Sequence, residues 1–449
     1  MKEVGSITSE ERIQNRILRS KVLRAAKKAF DNQEYDNIYK VVTFQHYTFA
    51  LFKCKKGVMW KGKPQKYCFE AITRMSDTID SVLAGKLPSL KNYKVMILRE
   101  RGKEREIVAI VFDDRITQRT FADFALVPVV LKSLIYDNGA STKGKGTDFA
   151  RNRIDKFMHD VACKYGDDFY ILKYDFKKFF ESIPHSTCQK IYDKYFKDKR
   201  IVKIIMDIIK SYYRPLIQEI EDQAEREEQL RKLENNELCG ITLGSQISQV
   251  TALIVPNDID HYIKDRCRIK YYVRYMDDGI IIHHDKEVLI ALLKGIKEIA
   301  KELGLSFNEN KTMIVKAKKG FTFLKVKYRV VGRKVVKTLS HSGIVRMRRK
   351  LKKYAKKVQQ NRMTLDDVYN SMQSWLDHAK IANSYTTVKN MLKLYDDLFD
   401  GYKITDKYFD KLKSKCKEGN KNEILQNNKW AAFRWDCDYC GITQTTVKA

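Results

Sequence analysis

The sequence YYVRYMDDGIII, residues 271–282, places two adjacent acids between apolar, aromatic and β-branched flanks. This pattern predicts two antiparallel strands joined by a tight turn that carries Asp277 and Asp278 at its tip. An Asp-Gly pair between hydrophobic runs is also an ordinary hairpin signal, so a turn alone explains Asp278 and Gly279. A further acid close to this turn would instead indicate a catalytic or metal-binding site.

That further acid is Asp175, in the sequence FYILKYDFKKFF of residues 169–180. The apolar residues predict a buried strand that ends at Asp175, which we expect to lie beside the turn. Three carboxylates in a cleft repel one another unless a divalent cation compensates their charge, and Mg²⁺, with Mn²⁺ as a substitute, accepts such oxygen ligands. Two Mg²⁺ ions about 4 Å apart can promote in-line displacement at a phosphate. The sequence therefore predicts nucleotidyl transfer.

The charge of the chain narrows the class of partner. Its 449 residues carry 87 Lys and Arg against 56 Asp and Glu, a formal net charge of +31. Such a field favours a polyanion, either nucleic acid or an anionic membrane surface. No apolar run approaches the roughly 18 residues of a spanning helix and no signal-peptide pattern begins the sequence, which predicts a soluble, cytoplasmic protein without a membrane partner. Nine scattered cysteines predict reduced thiols.

A predicted hairpin precedes the strand of Asp175. Residues 95–110 alternate apolar and charged positions around Gly102, which places Lys103 and Arg105 near the tip. This tip could face water or contact triphosphate oxygens, and the pattern leaves both open. The Gly- and Lys-rich residues 138–151 lack Walker spacing, which argues against a nucleotide-binding P-loop.

Two segments flank the acidic turn with polar groups. Residues 240–249, GITLGSQISQ, include Gly244, where backbone can approach a ligand closely, and the hydrogen-bonding side chains of Ser248 and Gln249. After the turn comes an amphipathic helix, and the sequence NENKT is expected to bring Lys311 back to the same side. An acid-rich segment at about residues 216–238 is expected to be a surface excursion.

A basic helix is predicted near the C-terminal end of the chain. Residues 346–357 hold eight Lys or Arg among twelve, a density that indicates contact with a nucleic-acid backbone. The basic residues that we expect to make this contact are Arg346, Arg348, Arg349, Lys350, Lys352 and Lys353. Two helices with apolar stripes should follow within residues 364–399.

The two ends of the sequence carry less specific signals. Residues 1–40 predict an amphipathic, basic helix that packs on the protein or contacts RNA. Cys437 and Cys440 form a Cys-x-x-Cys pair near the other end. Without a second ligand pair nearby, structural thiols are favoured over a zinc site completed by Cys416 or a histidine.

Seven motifs in this order give the chain a resemblance to the reverse transcriptases of retrons, group II introns and diversity-generating elements in prokaryotes. They are ERGKERE, DRITQR, YDFKKFF, GITLGSQISQ, YVRYMDD, NENKT and FLKVKY, and the resemblance covers about residues 95–390. The resemblance implies an α+β right-hand polymerase fold. It implies an N-terminal extension at 1–94, fingers at 95–168, a palm at 169–335 with the 216–238 insertion, a helical thumb at 336–400 and a C-terminal extension at 401–449.

The resemblance also implies roles for individual residues. Asp175, Asp277 and Asp278 would bind two Mg²⁺ ions, together with the Phe176 carbonyl, and Phe180 matches the aromatic residue that disfavours a 2′-hydroxyl. Lys103 and Arg105 match residues that meet the triphosphate, and Lys311 matches a lysine near the leaving pyrophosphate. Gly244 and Ser248, with Gln249 beside them, match the loop under the template and the incoming base.

The biological role implied by the resemblance is less specific. Leu243 and Gln249 stand where many relatives have Gln and Pro, a form similar to diversity-generating and antiviral bacterial enzymes. We therefore predict an RNA-directed DNA polymerase that copies a dedicated noncoding RNA in antiphage defence, with the RNA template, DNA primer or product and dNTPs as partners. A diversity-generating or other retroelement enzyme, and a catalytically silent RNA-binding scaffold, are the alternatives. A homo-oligomer is left open.

Overall fold

The computed structural model describes residues 34–87, 94–100 and 103–399. Most of the predicted N-terminal helix, the hairpin tip at residues 101–102, the side chain of Lys103 and the Cys437–Cys440 pair lie outside the described parts. The chain divides into two compact units, residues 1–338 and residues 339–449.

In its described residues, unit 1 is mainly helical and has three small sheets. Its helices are α1 (Ile38–Val41), α2 (Phe44–Lys55), α3 (Gly62–Phe69), α4 (Ala71–Leu83), α5 (Phe112–Phe121), α6 (Val127–Val130), α7 (Thr147–Tyr165), α8 (Phe179–Ser182), α9 (His185–Tyr195), α10 (Lys199–Lys210), α11 (Tyr213–Gln218), α12 (Gln223–Glu234), α13 (Gln246–Ile254), α14 (Asn257–His261) and α15 (Lys286–Glu302). Wider π-helical turns, Ala122–Leu126 and Tyr262–Arg266, follow α5 and α14, and a short 3₁₀ turn, Leu131–Ser133, follows α6. The acid-rich segment is helical and, as expected, mostly at the surface, since in α12 only Leu233 is buried.

The central sheet has the order β4-β5-β3-β6. Its strands are β3 (Tyr170–Asp175), β4 (Tyr272–Tyr275), β5 (Asp278–His283) and β6 (Met313–Lys316). All three neighbouring pairs are antiparallel. Helices α7 and α15 pack against this sheet, which explains why Ile280, Ile281 and Ile282 of β5 are buried on both faces. The strand-turn-strand prediction for residues 271–282 and the strand ending at Asp175 are confirmed.

Two further sheets are formed by short hairpins. Strands β1 (Lys94–Glu100) and β2 (Lys103–Ala109) form the hairpin predicted around Gly102. Strands β7 (Phe321–Phe323), β8 (Val326–Val331) and β9 (Lys334–Leu339) form a three-stranded meander. Leu324 and Lys325 make the turn between β7 and β8 with φ values of +44° and +71°. Two positive φ values are typical of a type I′ turn, where glycine is preferred.

Unit 2 is described up to residue 399 and consists of three helices, α16 (His341–Gln359), α17 (Leu365–Ala379) and α18 (Tyr385–Leu398). Helix α16 buries Met347, Leu351 and Ala355 at four-residue spacing, so its apolar stripe faces the other two helices. Thr364 and Asp367 form a capping box that fixes the start of α17. The basic helix and the two helices after it are confirmed.

The residues that the structure describes include neither a membrane-spanning helix nor a disulfide. None of their helices has both the length and the apolar character needed to cross a bilayer. The six cysteines among them form no disulfide.

A buried acid without a hydrogen-bond partner makes unit 1 sensitive to pH. Asp114, in the first turn of α5, is 4% exposed, and its Oδ2 atom accepts no hydrogen bond from the described residues. Burial, together with the negative charge of the neighbouring Asp113, raises the pKa of Asp114 to about 7. Because the folded chain holds this proton more tightly than the unfolded chain, stability is lost as pH rises from about 4 to 7.

We expect Asp114→Asn to stabilise the protein by about 1–3 kcal/mol at pH 8, since the amide is never ionised. The gain should shrink as pH falls towards 4, where Asp114 is protonated in the folded chain and about half protonated in the unfolded chain. Urea unfolding between pH 4 and 8 measures it. Asp113→Asn, which removes an ion pair with Arg74 (3.0 Å), is the control, and a pH-independent gain in Asp114→Asn would contradict the assignment.

Candidate active site

The acidic turn lies two residues earlier than an Asp278-Gly279 turn would. Tyr275 pairs with Asp278, so Met276 and Asp277 are the two turn residues and Asp278 already belongs to β5. Met276 has φ +54°, which is rare for a bulky residue and indicates backbone strain. Gly279 therefore lies in the strand and not in the turn, so the Asp-Gly pair is not an ordinary hairpin signal here, and both acids lie at the tip as predicted.

Gly279 is needed in the strand for space. The ring of Tyr174 lies over it, and a Cβ atom at residue 279 would come within 2.1 Å of that ring. Tyr174 is fully buried, and its hydroxyl is 2.6 Å from the hydroxyl of Tyr272. The glycine thus lets an aromatic side chain of β3 cover the strand directly after the acids.

Asp175 lies opposite the turn, as predicted. It is the last residue of β3 and pairs with Asp278 in the antiparallel register. Its carboxylate is 5% exposed and accepts two 2.8 Å hydrogen bonds from Nζ of Lys311. The prediction that Lys311 returns to the side of the acids is confirmed, but its ammonium group lies on Asp175 itself.

The three carboxylates form a crowded and partly buried cluster. Burial raises the pKa of Asp277, and the charge of Asp175 raises it further, while Lys311 and Arg105 oppose the shift. Burial raises the pKa of Asp278 to about 6, with Asp277 and Asp175 adding to the shift and Lys173 opposing it. The cluster therefore holds more negative charge than its surroundings compensate.

Carboxylate oxygens are chemically suitable ligands for a divalent cation, but their present positions do not form a metal site. Oδ1 of Asp278 is buried and accepts no hydrogen bond from the described residues; Nζ of Lys173 is 3.8 Å away. No group of three His, Cys, Asp or Glu among the residues described is arranged to hold a metal as it stands. Both oxygens of Asp175 accept a hydrogen bond from Lys311, whose ammonium group therefore competes with a cation for this carboxylate.

The backbone after Asp175 also fits the expected ligand set. The Asp175 carbonyl accepts from Asn308 and the Lys177 N–H donates to Ser306, both at 2.8 Å. Phe176 between them pairs with Phe307 in a bridge. In such a pair the N–H and C=O of Phe176 are directed away from the 306–308 segment. The Phe176 carbonyl therefore takes no part in the hydrogen bonds of that bridge.

Behind the turn lies a buried ion pair that the sequence did not reveal. Arg274 and Asp260 are both fully buried, and the guanidinium makes three hydrogen bonds of 2.7–2.9 Å to the carboxylate. The same guanidinium donates to the carbonyl of Met276 at 3.0 Å and to that of Leu253 at 2.7 Å. Tyr272 donates to Asp260 at 2.5 Å. Arg274 thus holds the carbonyl of the strained turn residue from behind.

The 240–249 segment connects two other predicted site residues. The carbonyl of Phe180 accepts from Ile241 N–H at 2.8 Å, and Gly240 N–H donates to the carbonyl of Ile183 at 2.7 Å. At its other end, Leu243 accepts from Val108 of β2 at 3.1 Å. The segment therefore bridges the partly exposed Phe180 and the β1–β2 hairpin.

Within this segment the predicted residues differ in accessibility. Gly244 is exposed with φ +111°, and a Cβ atom there would lie 2.7 Å from the carbonyl of Val108, so only glycine fits. Gln249 is exposed on α13. Ser248 is only 2% exposed and its hydroxyl lies 3.5 Å from that of Thr242, so its side chain faces the interior.

The remaining predicted residues lie on β2 and on α16. Arg105 is exposed on β2 and close enough for its charge to lower the pKa of Asp277. In unit 2 the six predicted basic residues of α16 are all exposed. Lys350 donates to Ser371 at 2.7 Å, and the other five make no ion pair within the described residues. These five are Arg346, Arg348, Arg349, Lys352 and Lys353.

Residues 97–328 match the family described as "Reverse transcriptase (RNA-dependent DNA polymerase)". No curated protein sequence matches the chain. Among solved structures, apo telomerase from Candida tropicalis, truncated from its C-terminal domain, is 14% identical with a TM-score of 0.34 over 59% of each chain. Telomerase from Candida albicans in complex with a TWJ fragment of telomeric RNA is 13% identical with a TM-score of 0.38, over 71% of this chain and 58% of that one.

Proposed function

The chain belongs to the reverse transcriptase family and has its right-hand polymerase fold, and from this premise we propose that it is an active RNA-directed DNA polymerase that copies a dedicated noncoding RNA. One observation carries the proposal: the β3–β5 register brings Asp175 opposite Asp278, with Asp277 in the turn beside them. A silent scaffold would have no need for three mutually repelling carboxylates in a partly buried cluster.

The acids and their neighbours have separate tasks in this proposal. Asp175, Asp277, Asp278 and the Phe176 carbonyl would hold two Mg²⁺ ions, which when bound supply Lewis acidity and charge neutralisation at the α-phosphate. Arg105, together with Lys103 on the same strand, would bind the triphosphate of the incoming dNTP. Once released from Asp175, the ammonium of Lys311 can donate a hydrogen bond to pyrophosphate oxygens.

Template and primer binding follow from exposed groups. Gly244 and Gln249 would contact the template and the incoming base, whereas Ser248 would support the loop through its buried hydroxyl. The exposed basic residues of α16 would bind the phosphate backbone, in the role of a thumb. Domain bounds at 95–168, 169–335 and 336–400 for fingers, palm and thumb belong to the same proposal.

Phe180 is proposed to select deoxyribonucleotides by filling the space that a 2′-hydroxyl would need. We expect Phe180→Ala to raise the efficiency of ribonucleotide incorporation relative to dNTPs by about 10- to 200-fold, the range for one removed steric contact. Single-nucleotide extension with matched rNTP and dNTP pairs measures the ratio. Phe180→Tyr keeps the bulk and serves as the control; an unchanged ratio in Phe180→Ala would remove this role.

The experiment for the polymerase itself is sequencing of the nucleic acid that copurifies with the protein, separated into RNA and DNA. We expect one enriched RNA and DNA complementary to it. The DNA should be absent from an Asp277→Asn, Asp278→Asn double variant that still retains the RNA. RNA without variant-sensitive DNA would instead favour the scaffold.

We further propose that the DNA product serves antiphage defence. The support is the Leu243-Gly244 and Ser248-Gln249 form of the template loop, which resembles antiviral bacterial enzymes. Phage plating on bacteria that express the gene with its flanking sequence tests this, with the double variant as control. Equal plating on both would favour a retroelement role, including a diversity-generating one.

A further inference from the structure

A cavity of about 470 Å³ opens in unit 1 between α7 and the segment that leads into β4. Its lining contains five Lys and Arg against two Asp, around the ring of Phe157. It lies at the start of β4, whereas the turn with Asp277 and Asp278 follows the end of that strand. The cavity is therefore separate from the polymerase site.

The inner wall of the cavity pairs two cations with one carboxylate, which leaves it with one positive charge. Asp137 accepts a 2.6 Å hydrogen bond from Nε of Arg153 and a 2.8 Å hydrogen bond from Nζ of Lys264. Lys264 also donates to the carbonyl of Lys270 at 2.7 Å, and the guanidinium of Arg153 lies 4.5 Å from the centre of the Phe157 ring. These contacts fix two cations on an aromatic floor.

The outer wall carries charge that nothing nearby compensates. Lys156, Arg268 and Lys270 are exposed, and none of them makes an ion pair with a carboxylate among the described residues. The second acid of the lining, Asp160, is partly buried and likewise makes no ion pair there. Three cations without an ion pair, of which Lys270 lies 5.3 Å from the centre of the Tyr271 ring, stand beside one unpaired carboxylate and leave the mouth of the cavity positive.

Arg268 is held on this wall at a conformational cost. Its φ is +53°, at the end of the π-helical turn where Cys267 N–H donates to Tyr262 and Ile269 N–H donates to Ile263. Glycine or asparagine is the usual residue in this left-handed position after a helix. Strain of this kind persists more often where a side chain has a function.

We propose that this cavity binds a phosphate group of an RNA strand outside the polymerase site. Its volume falls within the range of about 300–1,000 Å³ for small-ligand sites, enough for one nucleotide. The cations of the outer wall can contact phosphate oxygens, which Arg does in a bidentate manner. A free mononucleotide offers the same phosphate chemistry. This proposal depends on the proposed function in one respect, which is that a reverse transcriptase encounters RNA.

The test compares two triple variants with the same loss of charge. Lys156→Ala, Arg268→Ala and Lys270→Ala empty the outer wall, whereas Lys190→Ala, Lys203→Ala and Lys294→Ala remove three exposed lysines elsewhere in unit 1. Fluorescence anisotropy with a labelled 20-nucleotide single-stranded RNA gives the Kd at several salt concentrations. Calorimetry with AMP and with inorganic phosphate, on the same full-length proteins, identifies a free-nucleotide source.

We expect the cavity variant to bind the RNA about tenfold more weakly, with a slope of log K against log salt shallower by about 2. The control triple should change Kd by less than about twofold. AMP binding lost only in the cavity variant, with RNA binding unchanged, would support the cavity and assign it to free nucleotides. Equal RNA losses in the two triples, without AMP or phosphate binding, would overturn the proposal. Failure of DNA synthesis by the wild-type protein would leave this comparison intact.

Two single substitutions separate function from folding. Arg268→Gly should raise the melting temperature by about 2 °C, because it relieves the positive φ, while it weakens RNA binding. Asp160→Asn should strengthen RNA binding by about twofold, since it removes a repelling charge. A structural role alone would predict weaker binding only in variants that melt earlier.

Discussion

Asp278→Asn should abolish DNA synthesis while the protein remains folded and keeps its RNA. The substitution removes one of three carboxylates that surround the proposed cation site, at an oxygen that is buried without a hydrogen-bond partner in the described structure. Loss of a ligand that stabilises transition-state charge by several kcal/mol corresponds to a rate at least about 10³-fold lower. Primer extension on an RNA template measures the loss of synthesis, and the RNA affinity measured in parallel shows whether RNA binding is retained.

The same variant should be more stable than the wild type when no divalent cation is present. Asp278 is held next to Asp175 and Asp277 against their repulsion, and the amide relieves it. Mg²⁺ should raise the melting temperature of the wild type, because it binds only the folded chain, and have little effect on Asp278→Asn. Asp258→Asn, on an exposed acid 3.3 Å from Lys194, is the control. Equal Mg²⁺ responses in wild type and Asp278→Asn would show that this acid does not bind the ion.

The sequence predicted the strands and helices because their apolar periodicity is local. The apolar composition of residues 271–282 and 170–175 is sufficient to predict buried strands. The basic helix α16 is predicted by its apolar stripe of Met347, Leu351 and Ala355. The position of the turn was less predictable. Asp278-Gly279 has the sequence of a hairpin turn, but Gly279 is there to accommodate the ring of Tyr174 from another strand. A packing contact with a residue of another strand leaves no signal in the local sequence.

The candidate site was predictable where the motif resemblance named its residues, and not where support comes from across the fold. Nothing in the spacing of Asp260 and Arg274 indicates that they meet, and a charged residue in the strand sequence YVRY was the one available hint. Pairing of Lys311 with Asp175 depends on the loop of residues 306–311 docking on the end of β3. Ser248 was expected to face a ligand, yet its place in the first turn of α13 buries it.

Arg274 supports two properties that mutation can separate. Its guanidinium neutralises Asp260, which concerns stability, and it holds the Met276 carbonyl, which concerns the position of Asp277 and Asp278. Removing one member of a buried ion pair costs about 3–5 kcal/mol, whereas replacing both by apolar residues is often nearly neutral. A lysine at residue 274 would retain the positive charge, but it lacks the planar set of N–H donors with which arginine reaches several acceptors at once.

Arg274→Met should therefore destabilise the protein by about 3–5 kcal/mol and abolish synthesis, whereas the double variant Arg274→Met, Asp260→Leu should recover most of the stability. We expect the double variant to remain at least about tenfold slower, because the strained Met276 carbonyl still lacks its donor. Urea unfolding and primer extension measure the two effects. Arg74→Met, at a half-exposed ion pair with Asp113, should cost at most about 1 kcal/mol and serves as the control. Activity restored together with stability in the double variant would reduce Arg274 to a folding role, since the turn would then hold its acids in place without it.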